Sequence, residues 1–230
     1  MLTPGEWAII ALSLKVSIVA VLACLPFAYC LAYIVARAQF PGRIVLNVII
    51  HLPLVLPPVV TGWLLLLAFG RDGPVGTWLE EMMGVTLVFR WTGAALAAAV
   101  MALPLMVRAI RISIEAVDDR LEEAARTLGA SHFAAFRTIT LPLSLPGIIA
   151  GAMLGFARSL GEFGATITFA ANIPGQTQTL PLAIYTQLQL PGGDGAVARL
   201  ALVTVMLSLG ALVASEWLVR RSAGQGSHVL

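Results

Sequence analysis

Apolar residues in this chain are gathered into five long runs, which short polar stretches separate. The runs cover residues 9–36, 44–69, 92–112, 145–170 and 199–219. A helix needs about 20 mainly apolar residues to cross a membrane, and each run is long enough for one crossing. The pattern therefore predicts an all-α fold: one polytopic transmembrane helical bundle, residues 1–230, with about five spans. A sixth span would require the first run to be split, or residues 74–89 to enter the membrane.

Arginines are distributed unevenly between the runs, and this predicts the orientation of the chain. Short cytoplasmic loops of membrane proteins carry an excess of Lys and Arg. The loops after the first and third runs are rich in arginine, and so is the tail, through Arg220 and Arg221. The loops 71–90 and 171–198 show no such excess. We therefore expect the N-terminus outside, and residues 115–142 and the C-terminus in the cytoplasm.

Composition narrows the classes of function. Hydrophobic residues make up 59% of the chain and charged residues 11%, which is typical of a protein lying mostly in lipid. The net charge of +2 gives no reason to expect nucleic acid as a partner. The sequence has no glycine-rich phosphate loop, so ATP would be used by another chain. Cys24 and Cys30 share one apolar run on different helix faces, so we expect neither a disulfide nor a metal site, and no cofactor.

The most polar stretch follows the third run and predicts a short helix outside the lipid. Asp119 and Glu122 have the spacing of a capping box, in which two side chains satisfy free N–H groups at a helix start. Apolar residues at positions i, i+3, i+4 and i+7 give this helix one apolar face. They are Leu121, Ala124, Ala125 and Leu128. Gly129 should end the helix, because glycine readily adopts a positive φ.

A second short helix is predicted directly after this turn. Ser131 is placed to cap it, and Phe133, Phe136 and Ile139 lie along it. Pro142 should end it before the chain re-enters the bilayer, because proline cannot donate a backbone hydrogen bond. The polar stretch is therefore expected to form a helix, a sharp turn and a second helix between two spans.

Prolines interrupt the second apolar run. Pro53, Pro57 and Pro58 each remove a backbone hydrogen bond, so the helix should kink there. Carbonyls freed in this way are tolerated in a membrane only where protein or a water-filled path satisfies them. Two interpretations stay open: a broken helix beside a translocation path, and a kinked helix that serves packing alone. His51 is expected to be a hydrogen-bonded histidine rather than a metal ligand.

The fourth run contains two charged residues, Arg158 and Glu162. An ionisable side chain at the centre of a bilayer costs about 2.5–3.5 kcal/mol even on a lenient scale, so both should face the bundle interior or each other. Their spacing of four residues permits pairing on one helix face. They are either a structural ion pair or the wall or gate of an anion path. Gly161 and Gly164 are expected to allow close helix approach across a dimer axis.

The polar stretch resembles a known motif. Glu123-Ala124-Ala125, followed by Gly129 and later by Leu141-Pro142, is similar to the EAA loop of ABC importer permeases, which docks into the ATPase subunit. We call residues 115–142 the coupling loop. The resemblance implies a type I ABC importer permease fold and ATP hydrolysis by a partner, so this chain is not expected to be an enzyme. The residues it implies for ATPase coupling are Glu122, Glu123, Ala124, Ala125, Arg126, Leu128 and Gly129.

Further segments are similar to the oxyanion branch of these importers, the molybdate and sulfate permeases, and most of all to the molybdate members. They are residues 51–62, 104–111, 158–165, 172–181 and 191–193. This resemblance implies molybdate import, and tungstate import with it, across the cytoplasmic (inner) membrane by alternating access. Arg158, Glu162, Pro57 and Pro58 would then be candidates for the path or gate.

The same resemblance implies several partners. They are a second copy of this chain, two copies of a cytoplasmic ATP-binding subunit and an extracytoplasmic molybdate-binding protein. Because the chain ends soon after its last run, we do not expect the C-terminal regulatory domain that some molybdate permeases carry. A sulfate or thiosulfate permease remains the alternative within the class. An ion-driven secondary transporter is the alternative outside it, but that class needs internal repeats, which the sequence does not show.

Overall fold

The computed structural model describes residues 2–226, except for the side chains of residues 215 and 219–226. All regular elements in this part of the chain are helical, as the apolar runs predict. In order they are α1 (Pro4–Arg37), α2 (Arg43–Val55), α3 (Pro58–Phe69), α4 (Pro74–Met83), α5 (Trp91–Glu115), α6 (Asp119–Thr127), α7 (His132–Ala135), α8 (Leu141–Leu143), α9 (Leu145–Leu160), α10 (Gly164–Ala170), α11 (Leu180–Leu188) and α12 (Asp194–Gly226). A π-helical turn, Phe136–Thr140, joins α7 to α8. The side chains of Arg220 and Arg221 lie outside the described ones, so their part in the orientation stays a prediction.

Three to five candidate spans can be counted in the described residues. Three helices, α1, α5 and α12 as far as Leu218, are long and apolar enough to cross alone. Two bent pairs add one each if each pair is a single span: α2 with α3, at an angle of 115°, and the segment His132–Leu143 with α9, at 60°. The upper count equals the number of apolar runs, although the second pair takes in residues 132–143, which the sequence places in the polar stretch before the fourth run. Helix α1 is continuous over 34 residues and α4 has only 10, so neither route to a sixth span is realised.

Helices α1, α5 and α9 form the centre of the bundle and pack through small side chains. Ala20 of α1 and Ala98 of α5 belong to one buried cluster, and Cys24 and Met106 belong to the next. On α9, a Cβ at Gly155 would lie 2.7 Å from the Met106 sulfur, so the helices approach closely there. Small residues permit such close approach in membrane bundles. The packing brings the C-terminal ends of α1 and α5 side by side next to the coupling loop.

The opposite end of the bundle is held by two charged contacts. The Lys15 ammonium lies 3.7 Å from the centroid of the Trp91 ring, a cation–π contact between α1 and the start of α5. Arg199 of α12 donates to a Glu6 carboxylate oxygen at 2.8 Å, close to the N-terminus of α1. Thr3 and Glu6 also form a capping box at the start of α1. These contacts fix three helix ends far from the coupling loop.

The fourth apolar run is not one helix, contrary to the prediction. Helix α9 ends at Leu160, residues 161–163 form a break, and α10 adds only seven residues. Glycines at positions 161 and 164 weaken the helix here, because glycine loses more backbone entropy in a helix than other residues do. The break places Glu162 outside regular helix, which changes how its pairing with Arg158 must be understood.

Candidate functional site

The coupling loop begins with α6, whose start differs from the predicted capping box. The N-cap is Asp118 rather than Asp119, and its carboxylate accepts a hydrogen bond from the Arg120 N–H at 3.0 Å. Glu122 does not reach back to the helix start; its carboxylate accepts a hydrogen bond from the Thr140 hydroxyl. The spacing of Asp119 and Glu122 predicted the wrong N-cap, because the neighbouring Asp118 caps the helix instead. Glu122 therefore joins α6 to the second half of the coupling loop.

Helix α6 ends as the sequence predicts. Gly129 has a φ of +93°, in the left-handed region, and the Ala130 N–H donates to the Ala125 carbonyl at 3.0 Å. This six-residue closure is the hydrogen bond of a Schellman motif. A Cβ at Gly129 would meet nothing within 4 Å, so only backbone strain disfavours a side chain there. Ser131 then caps α7 as predicted, accepting the Ala134 N–H at 3.2 Å.

The second half of the coupling loop corrects another prediction. Pro142 does not end the helix; the chain stays helical through the π turn and α8, and bends only at Ser144. In the π turn the Leu141 N–H donates to the Phe136 carbonyl, five residues back. The wider turn shifts the hydrogen-bond pattern immediately before Pro142, whose nitrogen has no hydrogen to donate. Pro142 is therefore accommodated within the helical segment.

The surface of the coupling loop carries apolar side chains that this chain leaves uncovered. Leu128 is 89% exposed, Phe133 70% and Leu121 46%, and Ala124 between them is also exposed. We call these four residues the coupling patch. Exposed apolar side chains gathered on a polar segment are typical of a protein contact surface. Ala125 is half-buried, so one member of the predicted apolar stripe is less exposed than the others.

All seven residues predicted to couple to the ATPase lie on this one segment. Glu123, Ala124, Arg126, Leu128 and Gly129 are exposed, whereas Glu122 and Ala125 are half-buried. Glu123 and Arg126 are thus free to contact a partner around the coupling patch. Glu122 has a different position, because its carboxylate is engaged by Thr140 within the loop.

Arg37 anchors the coupling loop to the bundle, a role that the sequence did not reveal. Its guanidinium donates to the Ile114 carbonyl at 3.2 Å and the Val117 carbonyl at 2.9 Å, and it forms an ion pair with Asp119. The Arg37 side chain is only 18% exposed. It therefore joins the ends of α1 and α5 to the first residue of α6. The sequence did contain a signal for this role. It is an arginine in the last turn of a span together with an aspartate at the start of the next polar helix.

A second polar network joins α5 to α2, the first helix of the bent pair α2 and α3. Arg111 donates to Glu115 at 2.8 Å and to the Asn47 side-chain oxygen of α2 at 3.3 Å. Arg43 also approaches Glu115, at 3.9 Å. His51 lies one turn further along α2 with its Nδ1 2.8 Å from the Asn47 carbonyl, which agrees with the predicted hydrogen-bonded histidine. The end of α5 and helix α2 are thus joined by polar contacts.

Arg158 and Glu162 pair across the break between α9 and α10. The Arg158 Nη1 lies 2.5 Å from Glu162 Oε2, and the Ala165 N–H donates to Glu162 Oε1 at 2.8 Å. Glu162 is 2% exposed, while the Arg158 side chain is 25% exposed. The carboxylate therefore binds an arginine of one helix and a free N–H of the next. The pairing was predicted; its place across a helix break was not.

The break between α2 and α3 lies next to the break between α9 and α10. A Cβ at Gly164 would lie 2.7 Å from the Pro58 Cβ, and a Cβ at Gly62 would lie 2.7 Å from the Ala165 carbonyl oxygen. Helix α10 is thus packed directly on α3. The close approach of Gly164 shown here is to α3 of the same chain; an approach across a dimer axis stays a prediction. A Cβ at Gly161 has its nearest neighbour at 3.8 Å, so nothing packs tightly there.

Two buried hydroxyls flank these breaks and were missed by sequence reasoning. Within the described part of the chain, Thr61 Oγ1 of α3 and Ser159 Oγ of α9 have no hydrogen-bond partner. Thr61 adjoins Gly62, and Ser159 adjoins Arg158. Isolated Ser and Thr in apolar runs carry no sequence signal of function. The structure thus brings Pro58, Glu162 and two unpartnered hydroxyls into one region of the bundle.

Metal-ligating side chains are scattered rather than grouped. Within the described residues, no three His, Cys, Asp or Glu side chains lie close enough together to hold a metal ion. Cys24 is buried and Cys30 is exposed, and neither forms a disulfide. The features that distinguish this chain are therefore the coupling loop and the paired helix breaks.

Comparison with known proteins places this geometry in a family. The family model for the binding-protein-dependent transport system inner membrane component matches residues 28–224. The chain is 57% identical over 222 residues to the molybdenum transport system permease protein of Escherichia coli (strain K12), covering 96% of this chain and 97% of that protein. It is 54% identical over 225 residues to the corresponding protein of Haemophilus influenzae, covering 96% and 98%.

Solved structures agree on the fold. An ABC transporter that imports the acidic polysaccharide alginate has a chain that superposes with a TM-score of 0.70 at 18% identity, covering 96% of this chain and 80% of that chain. A methionine ABC transporter in inward-facing form gives 0.68 at 17% identity, covering 95% and 94%. At such identities the likeness concerns the fold alone. Because the family model matches most of the chain and the relatives match it over nearly its full length, the chain belongs to the family of binding-protein-dependent transport system inner membrane components.

Proposed function

We propose that this chain is the membrane permease subunit of an ATP-driven molybdate importer. The observation that carries the proposal is its 57% identity, over nearly the whole chain, to a molybdenum transport system permease. Sulfate transport system permeases are more distant, at 35% identity over 217 residues and 39% over 163. Tungstate, a tetrahedral dianion of similar form, is proposed as a second substrate. A sulfate permease is the second candidate within the family.

The coupling loop is proposed to dock into the ATP-binding subunit. The coupling patch supplies exposed apolar surface, and Glu123 and Arg126 supply polar contacts at its edge. Interfaces commonly combine an apolar centre with a polar rim. Ala124 has no bulk beyond its methyl group, so a partner backbone can approach closely there. Gly129 fixes the turn that presents the patch.

The helix breaks are proposed to line the path or gate for the anion. Pro57 and Pro58 interrupt one span, and Arg158 and Glu162 bridge the break in another. A broken helix can change its angle at the break with less loss of backbone hydrogen bonds than a continuous one. Docking of ATPases at the coupling loop would shift the α1 and α5 ends, and the α2 network would carry that shift to the breaks.

The proposed assembly contains two copies of this chain, two ATP-binding subunits and one extracytoplasmic molybdate-binding protein. The proposed orientation places the coupling loop in the cytoplasm and the N-terminus outside. Tight binding by the permease itself is not required, because it would slow release of the anion. ATP hydrolysis resides in the partner subunits, and this chain converts their closure into alternating access.

The test is transport by the full complex in proteoliposomes with ATP inside. Loaded binding protein is supplied outside, and molybdate, tungstate and sulfate uptake are each measured. We expect ATP-dependent uptake of molybdate and tungstate, and at least tenfold less sulfate when each anion is offered to the binding protein at equal concentration. Preferred uptake of sulfate would establish the second candidate instead. Uptake that persists without ATP but collapses with the ion gradient would refute both.

A further inference from the structure

We propose that Arg71 and Arg90 form a capture site for a tetrahedral dianion at the end of the bundle opposite the coupling loop. The inference rests on the proposed function, because it takes the transported oxyanion as the ligand. It concerns neither the coupling loop nor the helix breaks.

The site is a cavity of about 490 Å³ between the end of α3 and the start of α5. Its lining includes Leu66, Arg71, Phe89, Arg90 and Gln176. Helix α5 begins at Trp91, directly after Arg90, and runs 25 residues to Glu115, next to the coupling loop. At 1.5 Å per residue, the cavity and the coupling loop are separated by about 37 Å. In the proposed orientation the cavity therefore opens to the outer side.

Two arginines line this cavity. Five other arginines pair with carboxylates; they are Arg37, Arg43, Arg111, Arg158 and Arg199. Four more described arginines form no ion pair, but none of them lines the cavity; they are Arg108, Arg120, Arg126 and Arg137. Arg71 and Arg90 form no ion pair with any described residue, although Asp72 and the two glutamates of α4 lie in the same loop. Two guanidinium groups balance the charge of one dianion. Their planar arrays of N–H donors suit oxyanion geometry.

The backbone around the cavity supports an anion site. Phe89 has a φ of +59°, which is a left-handed conformation. This conformation is unfavourable in free energy for a residue with a bulky side chain, and such residues are found disproportionately at functional sites. That conformation directs the chain into α5, whose N-terminus has no side-chain cap. Free N–H groups at a helix start favour negative charge. Gln176 adds an amide that can donate to an oxyanion. Because both arginines are exposed, binding should be weak enough to release the ion toward the path.

Thiol labelling of a cavity cysteine tests the charge of the site without requiring transport. Gln176→Cys is introduced into full-length protein with Cys24→Ala and Cys30→Ala, in membranes with the ATP-binding subunits. Small methanethiosulfonate reagents of equal size, one anionic and one cationic, are then compared. Two nearby positive charges in a watery cavity should favour the anionic reagent about tenfold. Millimolar molybdate should slow its reaction, whereas chloride at equal ionic strength should not.

Gln189→Cys is the matched control, because Gln189 is an exposed glutamine of the same loop region, 171–198, and does not line the cavity. It should react equally with both reagents and without protection by molybdate. Arg71→Gln should reduce the preference at position 176, and Arg71→Gln with Arg90→Gln should abolish it. Equal labelling by both reagents at position 176, or an absence of molybdate protection, would overturn the site. Either result would leave molybdate uptake by the wild-type complex untouched, so the proposed function would be judged separately.

Discussion

At the scale of single residues, the proposed function rests on positions where the backbone leaves ordinary helix. Gly129 has a left-handed conformation at the end of α6, and Glu162 lies in a helix break, where it binds Arg158 and the Ala165 N–H. The sequence predicted the conformation of Gly129, because a glycine after a periodic helix has a specific physical meaning. It could not predict the break at Glu162, since apolar periodicity continues on both sides of it.

Gly129→Val should abolish most uptake while the protein remains in the membrane. A β-branched residue is strained at a φ of +93°, although the space around the position is open. Molybdate uptake should fall at least tenfold, together with co-purification of the ATP-binding subunit. Gly84→Val is the matched control: Gly84 has a φ of +63° and open surroundings, but it lies at the end of α4, away from the coupling loop. Uptake that is equally poor in both variants would point to misfolding rather than to docking.

Arg158→Ala should destabilise the permease, because it leaves Glu162 buried without its charged partner. Breaking a buried ion pair typically costs about 3–5 kcal/mol. Glu162→Ala removes the partner of Arg158 and the acceptor of the Ala165 N–H together. In the double variant we expect the thermal stability of the purified complex to recover in part. If the pair lines the anion path, uptake should nevertheless stay at least tenfold below wild type. Uptake that recovers in step with stability would make the pair purely structural.

At the scale of elements, helix α6 is held by polar contacts rather than by apolar burial, whereas Phe136 of the coupling loop packs its ring against Tyr29 and Tyr33 of α1. Helix α6 has no buried residue, and its links are Arg37 with Asp119 and Glu122 with Thr140. Sequence periodicity identified α6 and α7 correctly, because these helices are amphipathic. It missed the links, since contacts between residues distant in sequence leave no periodic signal. It also misplaced the helix end at Pro142, because a π turn accommodates that proline.

Arg37→Gln should uncouple ATP hydrolysis from transport. The variant loses the ion pair that joins α1 to Asp119 of α6, and it weakens the hydrogen bonds from α1 to the Ile114 and Val117 carbonyls at the α5 end. We expect the complex to assemble and hydrolyse ATP, with several-fold less molybdate moved per ATP. Arg37→Lys should recover part of this ratio, because it restores the charge without the guanidinium fork. Arg120→Gln, at an exposed neighbouring arginine, is the control and should leave the ratio unchanged. An unchanged ratio in Arg37→Gln would remove Arg37 from the coupling mechanism.

At the scale of the whole molecule, the apolar runs predicted the all-α membrane bundle, and their number equals the upper count of candidate spans. The physical reason is strong: a bilayer admits only segments that satisfy their own backbone hydrogen bonds, so length and composition identify them. The internal course of each span was harder to predict. The bends of 115° and 60° depend on packing between helices. In the sequence, only the prolines indicated that a span would bend.

Cysteine accessibility tests the proposed orientation. In protein lacking Cys24 and Cys30, Gln189→Cys should react with an impermeant thiol reagent added to intact cells. Arg137→Cys, an exposed position of the coupling loop, should react only after the membrane is opened. The orientation follows from the arginine bias of the loops, which strongly favours the cytoplasm. The opposite labelling pattern would place the coupling loop outside, where no ATP-binding subunit could reach it.

The contact between Lys15 and Trp91 also indicates how deep the protein would lie in its bilayer. Lysine and tryptophan both favour the interface between hydrocarbon and water. From Lys15 to Arg37 is a rise of about 33 Å along α1, close to the hydrocarbon thickness of about 30 Å. Lys15 and Arg37 would therefore lie near opposite faces of the membrane. In the proposed orientation, Glu6 and its partner Arg199 would then stand beyond the outer edge of the hydrocarbon, joined by their ion pair.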